Sequence, residues 1–564
     1  MRLSKTVDRA LWIHAAWIII LAISVALGIE RFGFNPTDQG FVVAQSWRLL
    51  HGELPHVDIV SARPLGSAYL HIVDIILPGP VFITSVVIAT FQMVISTVLL
   101  ASWLTGTRVR NWSVLRTGCV SAAALVNVHL FPMNAWHTID GIFLTAGGLW
   151  ALDRGLELDR AYLYRAGLFL LGFAAITKQS FVPAVAVGIL VLFMHPVVRD
   201  QGHRIGRRLV DGGVLVGAPL AYLLVISVAG GFDDMFAQLT GGTGVVGRRL
   251  IDADASVGQL ACLAIFCVAA LLVMVSTRVQ LSNAGVVIAC TSILLVIVDG
   301  RLERAGTWGI VLLWMLALTV LMSVLVRRVI PWRPIVMVLL AWMVSLSWGY
   351  DSPTLIGGSV ALAAIDLLVS VGPGRRKRSQ GSALQFAAAV LIVGLAASFL
   401  VVEQAKNPYR DRPRVELTAS LGAATPEMRG IRSNSSMLTD LEQIRNCVQS
   451  HPAEKTAVLP DNPYVYPALG LRNPFPLDWM LAMELIADTR ERIIAVADEL
   501  DRNGSFLILF STVTPEDLAA AAPMPSVVSP EAPILDPTGT LTEVRNRAGG
   551  QPVVCGSFLG IWRP

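Results

Sequence analysis

The sequence predicts an α-helical polytopic membrane protein of about 13 transmembrane helices, followed by a C-terminal α/β domain. Of its 564 residues, 54% are hydrophobic and only 15% are charged, whereas about a quarter of an ordinary soluble domain is charged. The mean hydropathy is +0.63, and the apolar residues are concentrated in long runs before residue 403. These features exclude a disordered chain, a coiled coil and a free soluble enzyme.

The apolar runs define the predicted spans, because a helix needs about 20 mostly apolar residues to cross a bilayer. The pair 163–177 and 180–195 is short on both sides, so it fits either two spans or one broken, re-entrant unit. The predicted spans are residues 11–29, 80–104, 114–131, 139–152, 163–177, 180–195, 208–230, 258–275, 284–298, 307–326, 334–349, 355–371 and 383–402.

Lysine and arginine predict the orientation, since they are enriched in cytoplasmic connections. With Met1 in the cytoplasm, the cytoplasmic segments carry 21 of these residues and the external segments before residue 403 carry 8. The basic run Arg375–Arg378 then stays inside, which requires an odd number of spans and places the C-terminal region outside. The predicted division is a transmembrane module at residues 1–402 and an extracytoplasmic domain at 403–564.

The C-terminal region predicts a compact α/β domain, because amphipathic helices alternate with short apolar strands. Its Cys447 and Cys555 are candidates for a disulfide in an oxidising compartment. The predicted helices are Thr439–Ser450 and Leu481–Asp501, and the predicted strands are Thr456–Leu459, Ser505–Ser511 and Val553–Trp562.

Charge and motifs exclude several function classes. The net charge is only +4, so no global basic field favours nucleic acid as a partner. The sequence also shows no P-loop, HExxH or CxxC pair, so nothing in it indicates an ATPase, a zinc protease or a dithiol redox site.

The long first external loop, Glu30–Leu77, carries two carboxylates near the outer membrane surface. Its segment Gln39–Leu50 is amphipathic and predicts a helix lying in the membrane interface. Asp38 before this helix fits a general base or a helix N-cap. Asp58 fits a solvated loop acid, a partner of Arg63, a substrate contact that positions the acceptor or, together with Asp38, the oxygen ligands of a divalent metal such as Mg or Mn.

Four more residues are candidate substrate contacts at the same surface. Lys178 lies between two short apolar runs, where a cation needs a partner or water, or snorkels to the interface. Its neighbour Gln179 is a secondary polar candidate. His137, beside Trp136, fits a hydrogen bond to a sugar or phosphate, or an ordinary aromatic belt. Arg63 can pair with a phosphate or with Asp58.

Three segments resemble the GT-C fold glycosyltransferases, and in particular bacterial members similar to the glycosyltransferase 39 or protein O-mannosyltransferase family and the lipid A aminoarabinose transferases. The first-loop motif is Asp38-Gln39-Gly40, followed by Ala44, Leu49-Leu50, Gly52, Pro55, Asp58 and Pro64. The other two segments are Ala174–Ser180 and Val458–Pro474. These families place a catalytic acid just after the first span, at the position that Asp38 matches here.

The resemblance implies a bacterial plasma (inner) membrane enzyme with a cytoplasmic N-terminus. Its donor would be a polyprenyl-phosphate-linked sugar, and its acceptor an envelope glycan, lipid or protein on the outer face. Lys178 would contact the donor phosphate, and transfer would be inverting. The first loop shows no Asp-x-Asp pair, so the resemblance does not imply a metal cofactor. The alternatives are a transporter or flippase for lipid-linked glycans, which needs polar residues through the middle of several spans, and a non-catalytic membrane scaffold.

Overall fold

The computed structural model describes a mostly helical protein with a small C-terminal sheet. Helices occupy the chain up to residue 406, which we call the helical module, and the residues from 409 onward form the C-terminal domain. The basic run 375–378, on which the predicted orientation depends, lies outside the described residues. The described residues are 3–128, 133–194, 205–241, 254–302, 306–346, 352–372, 383–406 and 409–564.

Sixteen α-helices are described in the helical module. They are α1 (Leu3–Val25), α2 (Phe41–Leu50), α3 (Gly66–Ile76), α4 (Val81–Thr105), α5 (Val114–Asn127), α6 (His137–Glu157), α7 (Ala161–Ala175), α8 (Val182–Met194), α9 (Ile205–Val228), α10 (Phe232–Gly241), α11 (Val257–Val275), α12 (Val279–Leu302), α13 (Thr307–Arg327), α14 (Trp332–Ser345), α15 (Gly357–Val371) and α16 (Ala383–Lys406).

Eight helical segments among the described residues are long and apolar enough to cross a membrane. This supports a membrane-embedded protein, but the described helices do not show the 13 spans that the sequence predicts. Five further apolar helices are shorter; α7, for example, has 15 residues, about 22 Å of helix, against a hydrocarbon core of about 30 Å. The eight segments are Leu11–Glu30, Val81–Thr105, Gly206–Val228, Val257–Val275, Val279–Gly300, Thr307–Arg327, Thr354–Val371 and Gln385–Lys406.

The first loop contains two short helices rather than one. The predicted helix over 39–50 begins two residues later, at Phe41, because Gly40 adopts a φ of 142° before it. The position of this helix in the membrane interface stays a prediction, but the helix is not a free surface element. Most of α2 is buried, and its Arg48 is 4% exposed and pairs with Asp478 of the C-terminal domain at 3.3 Å.

The C-terminal domain is an α/β unit, as predicted, built on a four-stranded mixed sheet of order β3-β4-β6-β5. Strands β3 and β4 are parallel, whereas β6 is antiparallel to both β4 and β5. Its helices are α17 (Ser435–Ser450), α18 (Val465–Leu469), α19 (Thr489–Asn503), α20 (Pro515–Ala519) and α21 (Thr540–Arg547), and its strands are β1 (Ala419–Ser420), β2 (Arg432–Ser433), β3 (Lys455–Leu459), β4 (Phe506–Ser511), β5 (Gln551–Cys555) and β6 (Phe558–Arg563).

Two predicted boundaries in this domain need correction. The predicted strand Val553–Trp562 is a hairpin of two strands, because Gly556 adopts a φ of 61° and turns the chain. The predicted helix Leu481–Asp501 begins only at Thr489. Cys447 of α17 and Cys555 of β5 form the predicted disulfide, with Cα atoms 5.7 Å apart.

The C-terminal domain packs directly against the first loop. Asp411 accepts hydrogen bonds from the backbone N–H of Phe34 and from the side chains of Ser433 and Asn434. The aromatic ring of Phe34 packs edge-on against that of Tyr464, with centroids 5.1 Å apart. The first loop and the C-terminal domain therefore share one packed interface, and the candidate site lies along it.

Candidate functional site

Asp38 lies in the turn before α2 and is 5% exposed. The side chain of Asn35 accepts hydrogen bonds from the backbone N–H groups of Thr37 and Asp38, which fixes the turn. Oδ2 of Asp38 accepts one hydrogen bond from the hydroxyl of Tyr409 at 2.7 Å and another from Nη1 of Arg410 at 3.2 Å. Asp38 is therefore not the N-cap of α2, because that position belongs to Gly40.

The protonation of Asp38 is set by opposing effects. Burial raises its pKa, whereas the charge of Arg410, the hydrogen bond from Tyr409 and the charge of Arg63 lower it, and the net direction is upward. A carboxylate with a raised pKa is a better proton acceptor than an ordinary surface aspartate. Asp38 therefore has the electrostatic environment of a general base.

Asp461 is a second carboxylate beside Asp38, and the sequence analysis did not single it out. Its Oδ2 accepts a hydrogen bond from the hydroxyl of Thr37 at 2.9 Å. Burial, together with the charges of Glu516 and Asp38, raises the pKa of Asp461 to about 6. Its only sequence signal was its place in the resembling segment Val458–Pro474, because the contact with Thr37 joins residues 424 positions apart.

Arg63 lies within electrostatic reach of Asp38, His137 and Lys178. Its Nη1 donates to Oε1 of Glu484 at 2.9 Å, and its guanidinium lies 5.7 Å from the ring centroid of Phe41. The alternative pairing with Asp58 is not seen. The acidic partner comes instead from the C-terminal domain, which no local pattern around Arg63 could have predicted.

Lys178 lies in the connection between α7 and α8 and is 7% exposed. Its Nζ donates to the hydroxyl of Thr138 at 3.2 Å. Burial, with the nearby positive charge of Arg63, lowers the pKa of Lys178 to about 7. A snorkelling lysine would reach water, so the burial of Lys178 argues against that alternative. Two neighbouring cationic side chains at a buried position form a ready site for an anionic group.

His137 is the first residue of α6 and is 1% exposed. Its ring lies beside those of Phe41 and Trp136, with centroids 5.9 and 5.8 Å away. Neither ring nitrogen has a hydrogen-bond partner among the described residues. The position is more enclosed than an aromatic belt at the membrane surface, where polar ring atoms meet water.

A buried ionic group fixes the helices beneath this cluster. His71 of α3 contacts Asp74 through Nδ1 at 2.9 Å and Asp140 of α6 through Nε2 at 3.1 Å. Gln92 of α4 donates to the same oxygen of Asp140 at 2.8 Å. Because Asp140 lies one turn after His137, these contacts hold the start of α6 against α3 and α4.

Asp58 and Gln179 lie apart from the polar contacts of this cluster. Asp58 is exposed, and its carboxylate accepts a hydrogen bond from the backbone N–H of Leu54 at 2.8 Å. Asp58 is therefore a solvated loop acid and not a partner of Arg63. Gln179 donates to the backbone carbonyls of Ala62 and Leu239, so its side-chain amide connects these two backbone segments.

The predicted metal ligands Asp38 and Asp58 have separate partners. The guanidinium of Arg410 already pairs with Asp38. The carboxylate of Asp58 accepts a hydrogen bond within its own turn. We therefore derive no step through a divalent cation. Among the described residues, three side chains of metal-binding types come together, those of Cys447, His451 and Cys555. The two cysteines are joined in the disulfide, which removes their thiolate ligands.

A separate cleft of about 520 Å³ opens between the helical module and the C-terminal domain. Its lining includes Trp47 and Ile75 on one side and Glu427 and Arg445 on the other. None of the predicted site residues lines it, so it is distinct from the cluster around Asp38.

No protein family model matches the chain, and no curated protein matches it.

Proposed function

We propose that this protein is a membrane glycosyltransferase of the GT-C type. It would move a sugar from a polyprenyl-phosphate donor to a cell-envelope glycan, lipid or protein on the outer face of the membrane. The observation that carries the proposal is the juxtaposition of a buried carboxylate, Asp38, with two cationic side chains, the buried Lys178 and the partly buried Arg63. A base beside a phosphate site is what transfer from a sugar phosphate requires.

Asp38 would act as the general base. It takes the proton from the acceptor hydroxyl or amine, whose oxygen or nitrogen then bonds to the anomeric carbon of the donor sugar. The bond between that carbon and the phosphate oxygen breaks, and its electron pair leaves with the polyprenyl phosphate. Inversion at the anomeric carbon is an expectation from the family resemblance.

Arg63 and Lys178 would stabilise the departing phosphate, where negative charge develops. The pKa of Lys178 is about 7 because of burial and the charge of Arg63. An anion bound at this position favours the charged ammonium, so donor binding and protonation of Lys178 reinforce each other. The polyprenyl chain would lie along the apolar helices, with membrane lipids around it.

The orientation belongs to the same proposal. A cytoplasmic N-terminus and a C-terminal domain outside a bacterial plasma membrane follow from the distribution of lysine and arginine in the sequence. In this arrangement the first loop and the C-terminal domain enclose the reaction at the outer surface.

The experiment is transfer of radiolabelled sugar from a panel of polyprenyl-phosphate donors, with purified protein and native membrane lipids and proteins as the acceptor pool. Asp38→Asn should abolish the transfer that the wild type shows. Asp58→Asn is the matched control, because Asp58 is an exposed acid on the same loop, and it should retain activity. Full activity in folded Asp38→Asn would refute the assignment of the base.

The rival transporter and scaffold functions make a different prediction. A flippase would move fluorescent lipid-linked glycans across vesicle membranes without forming a glycosidic bond, and a scaffold would do neither. Flipping without transfer, unaffected by Asp38→Asn, would favour the transporter.

A further inference from the structure

We infer that Trp479, Glu484 and His137 form a subsite for the neutral, polyhydroxylated sugar of the donor, a role that rests on the proposed function. The C-terminal domain supplies Trp479 and Glu484, and the helical module supplies His137. The domain would thus complete the donor site instead of merely covering it.

Two of the three side chains lie beside one aromatic ring, that of Phe41, and the third is linked to it through Arg63. The ring centroids of Trp479 and His137 lie 4.6 and 5.9 Å from that of Phe41. Glu484 joins the group through its 2.9 Å ion pair with Arg63, whose guanidinium lies 5.7 Å from the same ring. Residues far apart in sequence therefore converge on a single position.

Each of the three carries a polar atom that is buried and has no hydrogen-bond partner among the described residues. These atoms are Nε1 of Trp479, Oε2 of Glu484 and both ring nitrogens of His137. Trp479 is 6% exposed, Glu484 0% and His137 1%. Buried polar groups are almost always satisfied, so several unsatisfied ones at one place indicate a ligand or ordered water.

The chemistry of these atoms selects the ligand class. The indole N–H only donates, the free carboxylate oxygen only accepts, and a neutral imidazole offers one donor and one acceptor. Sugar hydroxyls both donate and accept, and therefore match this mixed set. A phosphate dianion offers acceptors alone and would be repelled by Glu484.

The ion pair between Arg63 and Glu484 places the subsite beside the phosphate position. One side of Glu484 holds the cation that would stabilise the leaving phosphate, and its other oxygen remains for a hydroxyl. This adjacency favours the sugar that is attached to the phosphate over the acceptor. The subsite would then determine which donor sugar the protein accepts.

The test uses methyl glycosides of common pentoses and hexoses as probes, with saturation-transfer NMR on the purified full chain. Wild type should bind at least one of them. Trp479→Phe removes only the indole donor, and Glu484→Gln keeps an acceptor for Arg63 while changing the free oxygen. Each should weaken that binding about two- to tenfold, the value of one or two hydrogen bonds.

Two controls exclude other causes. Trp562→Phe replaces a tryptophan whose indole donates to the carbonyl of Pro452, and it should not change glycoside binding. Arg445→Gln alters the separate 520 Å³ cleft and should likewise have no effect. Inorganic sulfate, a probe of the cationic position, should bind equally well to wild type and Trp479→Phe.

The outcomes separate the subsite from the proposed function. Glycoside binding that Trp479→Phe and Glu484→Gln leave unchanged overturns the subsite, as does a folded wild type that binds none of the glycosides, in which case ordered water satisfies these atoms. If both variants lose glycoside binding while no donor supports transfer in any assay, the sugar subsite stands and the proposed transferase function is refuted. Transfer with a raised KM and altered sugar preference in Trp479→Phe supports both.

Discussion

Tyr409 donates its phenolic hydrogen to the carboxylate of Asp38 over 2.7 Å, across 371 residues of sequence. Tyr409 is the first described residue of the C-terminal domain, so this contact couples the proposed base to the position of that domain. A hydrogen bond to the ionised form of a carboxylate stabilises that form. Tyr409 is therefore a positioning residue that also keeps Asp38 ionised.

Tyr409→Phe should raise the pKa of Asp38, because it removes a hydrogen bond that lowers this pKa. The base works only when ionised, so the acid limb of the pH dependence of kcat/KM should move to higher pH. The control is Arg412→Gln, since Arg412 pairs with the exposed Glu416. A limb that coincides with that of wild type would show that Tyr409 does not influence the base.

Asp38→Asn should lower the pKa of Asp461, because the charge of Asp38 is one of the effects that raise this pKa to about 6. Carbodiimide labelling of Asp461 as a function of pH, read by mass spectrometry, measures this titration without activity, and its midpoint should move to lower pH in the variant. The control is Asp58→Asn, which removes an exposed acid of the same loop and should leave the midpoint unchanged. A shift toward higher pH in Asp38→Asn would contradict the electrostatic coupling.

Local patterns predicted the parts of this fold that depend on local sequence. The apolar runs, the strand at 456–459 and the alternation of helix and strand in the C-terminal domain are each encoded within a few residues, and the structure contains them. The hairpin at 551–563 was missed because two short apolar strands around Gly556 look like one strand in sequence.

The candidate site was predicted only in part, for a physical reason. Lys178 was recognisable because a charged residue between apolar runs is costly without a partner. Asp38 and Arg63 were recognisable by their place in the long first external loop, and His137 by its place beside Trp136 on a short one. Their partners were not recognisable, because Tyr409, Asp461 and Glu484 come from the C-terminal domain, far along the chain. Asp58 lies on the same loop as Asp38, and the structure separates the two by burial and by their different hydrogen-bond partners.

Lys178 should make anion binding dependent on pH near neutrality. Its pKa of about 7 means that the free protein loses this charge as the pH rises through 7, and binding must then take up a proton. Sulfate affinity, measured calorimetrically, should fall about tenfold per pH unit above 7 and stay level below it. Sulfate is chosen because its own charge is constant in this range.

Lys178→Arg is the matched variant for this measurement, because a guanidinium remains charged throughout. Its sulfate affinity should be independent of pH between about 6 and 9. If wild type and Lys178→Arg showed the same pH dependence, another group would have to carry it.

Asp140 should be required for stability, since it accepts hydrogen bonds from both His71 and Gln92 in a fully buried position. Asp140→Ala removes one of the two carboxylates that face His71. Breaking a buried ion pair in this way costs about 3–5 kcal/mol, and His137, one turn earlier on α6, loses its anchor. We expect a markedly lower thermal unfolding midpoint in detergent for Asp140→Ala.

The control on the same helix is Glu157→Gln, because Glu157 is 44% exposed and pairs with Arg108 at the surface. Its other partner, Arg154, is buried but also donates to Ser102 and to the carbonyl of Gly106, and it keeps these hydrogen bonds in the variant. Surface ion pairs contribute at most about 1 kcal/mol, so its unfolding midpoint should stay close to that of wild type. A second variant, Gln92→Leu, keeps both carboxylates and removes one neutral hydrogen bond, so the decrease in its unfolding midpoint should be intermediate.

Unfolding midpoints equal to that of wild type in all three variants would mean that the ionic group contributes no net stability. Packing alone would then set the position of α6 and of His137.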